Sequence, residues 1–128
     1  MSAEYPQDLR YTNDHEWLRA TGGKAVAGIT AFAVEQLGDI TMVDLPKVGA
    51  TLKKGDAFGT VESVKSVSDL YAPVSGTVIA VNGALKDAPE LVNQEPYGGG
   101  WMIELELKDP GEIEHVLDSA AYAAHATG

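Results

Sequence analysis

Few side chains in this sequence could do covalent or proton chemistry. The most conspicuous is Lys65, alone at the centre of Glu62-Ser63-Val64-Lys65-Ser66-Val67-Ser68-Asp69, with small hydroxyls and valines on either side. A lysine in an arbitrary exposed turn is a solvated charge, so its type alone assigns it nothing. The adjacent pair His15-Glu16 could form an acid/base couple. Successive strand residues point to opposite faces, however, and the pair is not expected to cooperate. There is no cysteine, and His15, His115 and His125 are scattered. A Cys/His zinc site, a cysteine nucleophile and a disulfide are thereby removed. Any sulfur chemistry must come from a cofactor. Gly98-Gly99-Gly100 reads as turn geometry, since no Lys-Ser/Thr follows it to make a phosphate cradle.

The elements that must position Lys65 are legible on both sides of it. Gly59 and Gly76 bracket a glycine-free stretch rich in Val, Ser, Thr and Tyr. Its alternation predicts two short strands with a reversal near Val64-Lys65. No Asn-Gly or Asp-Gly is present to supply positive φ, so the turn is expected to be type I-like or slightly longer.

Upstream, Leu9-Arg10-Tyr11 is expected as a short edge strand after loose residues 1–8. Thr12-Asn13-Asp14 is turn chemistry. His15–Ala20 and Ala25–Ile29 pair across Thr21-Gly22-Gly23-Lys24, with Trp17 inward. Thr30 is an N-cap for a helix over 31–37, buried through Phe32 or Ala33 with Leu37 and ended by Gly38. Residues 39–45 follow as a strand closed by Pro46, and Gly49 and Lys54-Gly55-Asp56 mark turns.

Downstream, residues 76–81 form a strand ending at Asn82-Gly83, and within 85–91 Pro89 lies in the first turn of a short helix capped by Asp87 or Ala88. Residues 101–107 alternate Trp101, Ile103, Leu105 and Leu107 against Met102, Glu104 and Glu106, the pattern of a half-buried strand. Asp109-Pro110-Gly111-Glu112 starts a C-terminal helix carrying Ile113, Val116, Leu117 and Ala120. Asp118 is a candidate cap for a second short turn through Tyr122.

Gly38–Asp44 faintly repeats as Gly76–Asn82, two β-rich halves either side of the hairpin. These patterns predict a mainly β fold, a barrel-sandwich hybrid (a flattened β-barrel of two packed sheets) with a protruding lysine hairpin, a short internal helix and a C-terminal helix. One domain over 1–128 is expected, with a β core over 9–108 and a helical segment over 109–125.

Nine Lys+Arg against nineteen Asp+Glu leave a formal charge of −10. Such a surface repels nucleic acid and anionic lipid and favours partners with basic faces. No apolar run approaches the roughly 18 residues that span a bilayer. With a polar N-terminus and no targeting pattern, the expected location is the cytoplasm, most simply of a bacterium.

The string from Glu62 to Gly76 resembles the lipoyl-attachment segment of the glycine cleavage system H-protein family. The resemblance extends through His15-Glu16-Trp17, Gly28-Ile29-Thr30, Leu37-Gly38-Asp39-Ile40, Pro89-Glu90-Leu91-Val92-Asn93, Pro96-Tyr97-Gly98 and Gly100-Trp101. It implies a monomeric, non-enzymatic carrier with lipoic acid in amide linkage on Lys65, attached by a lipoate ligase or lipoyl transferase. The implied partners are a pyridoxal-phosphate glycine decarboxylase, a tetrahydrofolate-dependent aminomethyltransferase and dihydrolipoyl dehydrogenase. It further implies that the loaded arm, with its labile cationic aminomethyl group, shelters in a cleft. Glu16 and Asp69 would hold the ammonium there, and Ile29 and Phe32 would form an apolar wall. Ala31-Phe32-Ala33-Val34 departs from the family pattern along one side of that cleft. Two other carriers fit the architecture: a lipoyl relay to other complexes, and a biotinyl domain. Biotin acceptors usually place methionines beside the lysine, where this chain has Val64 and Ser66.

Overall fold

The computed structural model describes residues 9–12, 15–109, 111–112, 116–118 and 121–122. The expectations for 1–8, Asn13-Asp14, Pro110, Ile113 and Ala120 lie outside the described residues.

Nine strands and three short helices are present among the described residues. In chain order they are β1 (Arg10–Tyr11), β2 (Glu16–Thr21), β3 (Lys24–Ile29), α1 (Ala31–Leu37), β4 (Ile40–Asp44), β5 (Thr51–Leu52) and β6 (Ala57–Ser63). There follow β7 (Val67–Tyr71), β8 (Gly76–Val81), α2 (Ala84–Asp87), α3 (Leu91–Gln94) and β9 (Ile103–Leu107). They make two antiparallel sheets, β1-β2-β3-β9-β8-β5 and β4-β6-β7. The inward faces of both supply one core, with Leu18, Ala27, Val61, Leu70, Val74, Val78, Ile103 and Leu105 among its buried members. The fold is the expected mainly β two-sheet architecture. The repeated segments fall one in each sheet, as β4 and β8.

Local chemistry explains the framework around the hairpin. Gly22 and Gly23 take positive φ in the β2–β3 turn, as that turn requires. Trp17 is fully buried and lies directly across from Gly28 in register. A Cβ on Gly28 would stand 2.8 Å from the indole Nε1, so only glycine lets the ring lie flat on β3. The indole N–H donates to the Pro96 carbonyl at 2.8 Å. Helix α1 has the predicted cap: the Thr30 hydroxyl accepts from the Ala33 N–H at 3.2 Å. The Tyr97 hydroxyl accepts from the Ala31 N–H at 2.9 Å, satisfying a second of the donors that a helix start leaves unpaired.

Three expectations are corrected. The short helix expected to start at Pro89 under an Asp87 or Ala88 cap begins instead at Leu91 with Glu90 as its cap and Pro89 just before it; Asp87 and Ala88 end a separate helix, α2, where Ala88 sits at φ −136, ψ 65, as a residue before proline prefers to leave helical geometry. Met102 is fully buried and not outward, because β9 begins only at Ile103 and its alternation does not reach back. The segment after Asp109 is not one continuous helix. Leu117 forms a bridge to Tyr11 with reciprocal N–H···O bonds of 2.8 Å, which satisfies the outer edge of β1 and draws Leu117 out of helical geometry. The second turn stands: Asp118 accepts from the Ala121 N–H at 2.8 Å and Tyr122 follows, buried. Finally, Thr51-Leu52 pairs with β8 as an additional edge strand, too short for periodicity to reveal.

Candidate functional site

Lys65 is exposed at the tip of the β6–β7 hairpin. Register pairs Glu62 with Val67, and the Ser63 N–H donates to the Ser66 carbonyl at 2.8 Å. The one non-glycine residue with positive φ among those described is His15, so the turn is of the kind ordinary residues tolerate, as expected. Serine chemistry tightens it. The Ser63 hydroxyl accepts from the N–H groups of Lys65 (3.2 Å) and Ser66 (3.1 Å), a local side-chain cap for a turn that lacks glycine. Val64 and Val67, 67% and 63% exposed, flank the lysine and give the tip an apolar collar.

Beyond the tip, β7 runs along a cleft of about 510 Å³ walled on its other sides by α1 and the chain around β2 and β3. Glu16, Ile29, Phe32 and Asp69 all line it. They come from four different elements or their ends, so only the packing of the two sheets against α1 brings them together. Glu16 is 2% exposed, and its carboxylate joins the two sheets. One oxygen accepts from the Thr12 hydroxyl at 2.9 Å, the other from the Tyr71 N–H at 3.1 Å. The Tyr71 N–H belongs to the end of edge strand β7, which explains why a side chain from the other sheet can take it. A carboxylate in such surroundings is held by hydrogen bonds to its charged form. Asp69, by contrast, is exposed, opposite Thr60 in register. Ile29 is buried, and Phe32 is half-buried on α1.

His15 overturns the expectation that it and Glu16 face apart. It precedes β2 with φ 68, so strand alternation does not apply, and both residues line the cleft. Its ring is nonetheless a scaffold: Nδ1 lies 2.7 Å from the Tyr122 hydroxyl, and the ring packs against Phe32, tilted by 42° with centroids 4.6 Å apart. Tyr122 also reaches the Thr30 hydroxyl at 2.7 Å, tying the cleft wall to the C-terminal segment. Sequence reasoning missed Thr12, Tyr71, Tyr97 and Tyr122 as supports. The contacts of Tyr71, Tyr97 and Tyr122 cross long sequence separations that no local pattern announces, whereas Thr12 meets Glu16 only four residues on, where strand alternation does not foresee a side-chain pair. Among the described residues, no group of three His, Asp or Glu could hold a metal ion, and no helix is long and apolar enough to cross a membrane.

An exposed amine on a stiff tip, beside a cleft that offers a buried carboxylate and an apolar wall, can carry a covalent arm and receive its cationic end. A family profile described as glycine cleavage H-protein matches residues 9–127. A glycine cleavage system H protein of Symbiobacterium thermophilum is 54% identical over 122 residues, covering 95% of each chain. One from Anaeromyxobacter sp. (strain K) is 56% identical over 121 residues, covering 94% of each. The crystal structure of a glycine cleavage system H protein from Mycobacterium marinum superposes with a TM-score of 0.88 at 39% identity, covering 97% of this chain and all of the other.

Proposed function

The chain belongs to the glycine cleavage H-protein family, and from that premise we propose that it is a lipoyl carrier acting in the bacterial cytoplasm, modified on Lys65. The observation that carries this reading is the exposed Lys65 at the head of a strand that leads directly into the cleft. Ser68, the first cleft residue on β7, is three residues from Lys65, a reach of at most about 10 Å of chain. A lysine side chain lengthened by an acyl group can cover that span.

When bound, a lipoyl group would supply a dithiolane that takes up the aminomethyl group of glycine and is later reoxidised. The protein's own part is to display, receive and shelter. Acylation removes the Lys65 charge, leaving a neutral stem that can lie along Ile29 and Phe32. Glu16 and Asp69 present carboxylates to a cationic arm end, and burial of that end without such partners would be costly. The two sheets keep the attachment point fixed relative to the cleft. Glycine decarboxylase, aminomethyltransferase and dihydrolipoyl dehydrogenase are the proposed docking partners, with a ligase or transferase for attachment. The charge of −10 favours basic faces on them, and the Val64–Val67 collar supplies apolar contact.

The test is mass spectrometry of peptides spanning residues 55–86 from the native host. Lipoyl mass on Lys65 is the expected result, and Lys65→Arg should abolish it while unfolding at the wild-type temperature. An unmodified lysine, a biotin mass, or an arginine variant that still gains the group would each defeat the assignment.

A further inference from the structure

The hairpin tip does not stand clear of the body. The Val64 N–H donates to the Asp39 carbonyl at 3.1 Å. The Lys65 stem rests on Gly38: a Cβ there would meet Lys65 Cε at 3.1 Å, Nζ at 3.8 Å and Val64 Cγ2 at 3.9 Å. Gly38 also holds φ 81, ψ −153, a backbone conformation open essentially to glycine alone. A bare, glycine-shaped patch of backbone therefore lies beneath the lysine.

That patch is gripped from the far side. Asn93 on α3 donates Nδ2–H to the Gly38 carbonyl at 2.9 Å and accepts from the Ile40 N–H at its Oδ1 at 2.8 Å. One side-chain amide thus pairs with both backbone groups of the bend, as a neighbouring strand would. The run of contacts is continuous: Asn93 to Gly38 and Ile40, Asp39 to Val64, Gly38 to the Lys65 stem.

We propose that Asn93 and Gly38 are positioning residues for Lys65, the first locking the bend over 38–40 and the second seating the lysine on it, so that the modifying enzyme meets the tip in one arrangement. The role in modification rests on the lipoyl-carrier reading; the seat itself does not. If the bend loosens, only a fraction of molecules presents the seated tip, and apparent affinity falls by that fraction.

The test uses the full chain with Asn93→Ala, and Asn93→Asp, which keeps the acceptor for the Ile40 N–H but sets a carboxylate oxygen against the Gly38 carbonyl in place of the donor. Val78→Ala, a buried core deletion remote from the seat in sequence, controls for lost stability. Two quantities are read: hydrogen exchange at the Val64 amide, and KM and kcat for attachment by a lipoate ligase supplied with lipoate and ATP. With two hydrogen bonds lost, Asn93→Ala should speed Val64 exchange by about tenfold or more and raise KM by more than about twofold but by less than the factor in exchange, with kcat within about twofold. Asn93→Asp should move both at least as far in the same direction, and Val78→Ala should move KM by less than about twofold. Wild-type Val64 exchange in both Asn93 variants would overturn the seat. A KM change matched by Val78→Ala would overturn its role in presentation. Wild-type chain left unmodified at Lys65 would instead overturn the carrier reading, while Val64 exchange still decides the seat.

Discussion

Replacing Glu16 separates its structural work from its electrostatic work. Its carboxylate accepts from the Thr12 hydroxyl and the Tyr71 N–H while only 2% exposed. Glu16→Ala strands both donors at the junction of the two sheets and leaves a gap. Each stranded buried group costs about 1–3 kcal/mol. Because Thr12 is half-buried and its hydroxyl can turn toward water, a total loss of about 2–4 kcal/mol is expected. For a chain of this size that corresponds to a fall of about 10 °C in Tm. Glu16→Gln keeps the shape and one acceptor oxygen but turns an NH2 toward the other donor, so a smaller loss of about 1–2 kcal/mol is expected. Urea unfolding followed by tryptophan fluorescence reads both, with the midpoint shifted at constant m. An alanine variant within about 0.5 kcal/mol of wild type would refute the sheet-joining role. In the loaded carrier, the folded glutamine variant should lose its aminomethyl cargo to hydrolysis faster, because the negative charge is gone and the cleft's shape is kept. An unchanged lifetime would leave Glu16 with a structural role alone.

Gly28→Ala drives a methyl into the Trp17 indole, which cannot retreat because its N–H is held by Pro96. A loss of about 1–3 kcal/mol in urea unfolding is expected, and a neutral substitution would mean that the ring is free to shift. Ser63→Ala removes the acceptor of the Lys65 and Ser66 N–H groups. In this exposed turn water replaces it, so global stability should fall by no more than about 1 kcal/mol while exchange of the Ser66 amide accelerates several-fold. Unaltered exchange at Ser66 would show that the hydroxyl does not hold the tip.

Elements whose cause is local were readable in advance. Thr30 caps α1 and Gly38 ends it because a hydroxyl and a missing Cβ act within a few residues. Gly22-Gly23 and the Ser63–Ser66 tip follow from turn chemistry in the same way. The readings failed where a distant partner intervened. Met102 faces inward because of where β9 begins, and Leu117 leaves its helical pattern to bridge Tyr11. The cleft residues Glu16, Ile29, Phe32 and Asp69 were named from resemblance, and no local periodicity would have grouped them.

What the amino-acid sequence determined by itself is the alternation of short strands, the turns between them, and a single lysine set in a hairpin without glycine. Those follow from steric and hydrogen-bonding preferences that each residue expresses with its immediate neighbours. Only the tertiary structure decided that Glu16 is buried as a link between sheets, that His15 shares its cleft, and that Asn93 grips the bend beneath Lys65. Each of these depends on groups tens of residues apart satisfying one another's polar atoms away from water, a condition that exists only once the sheets have packed.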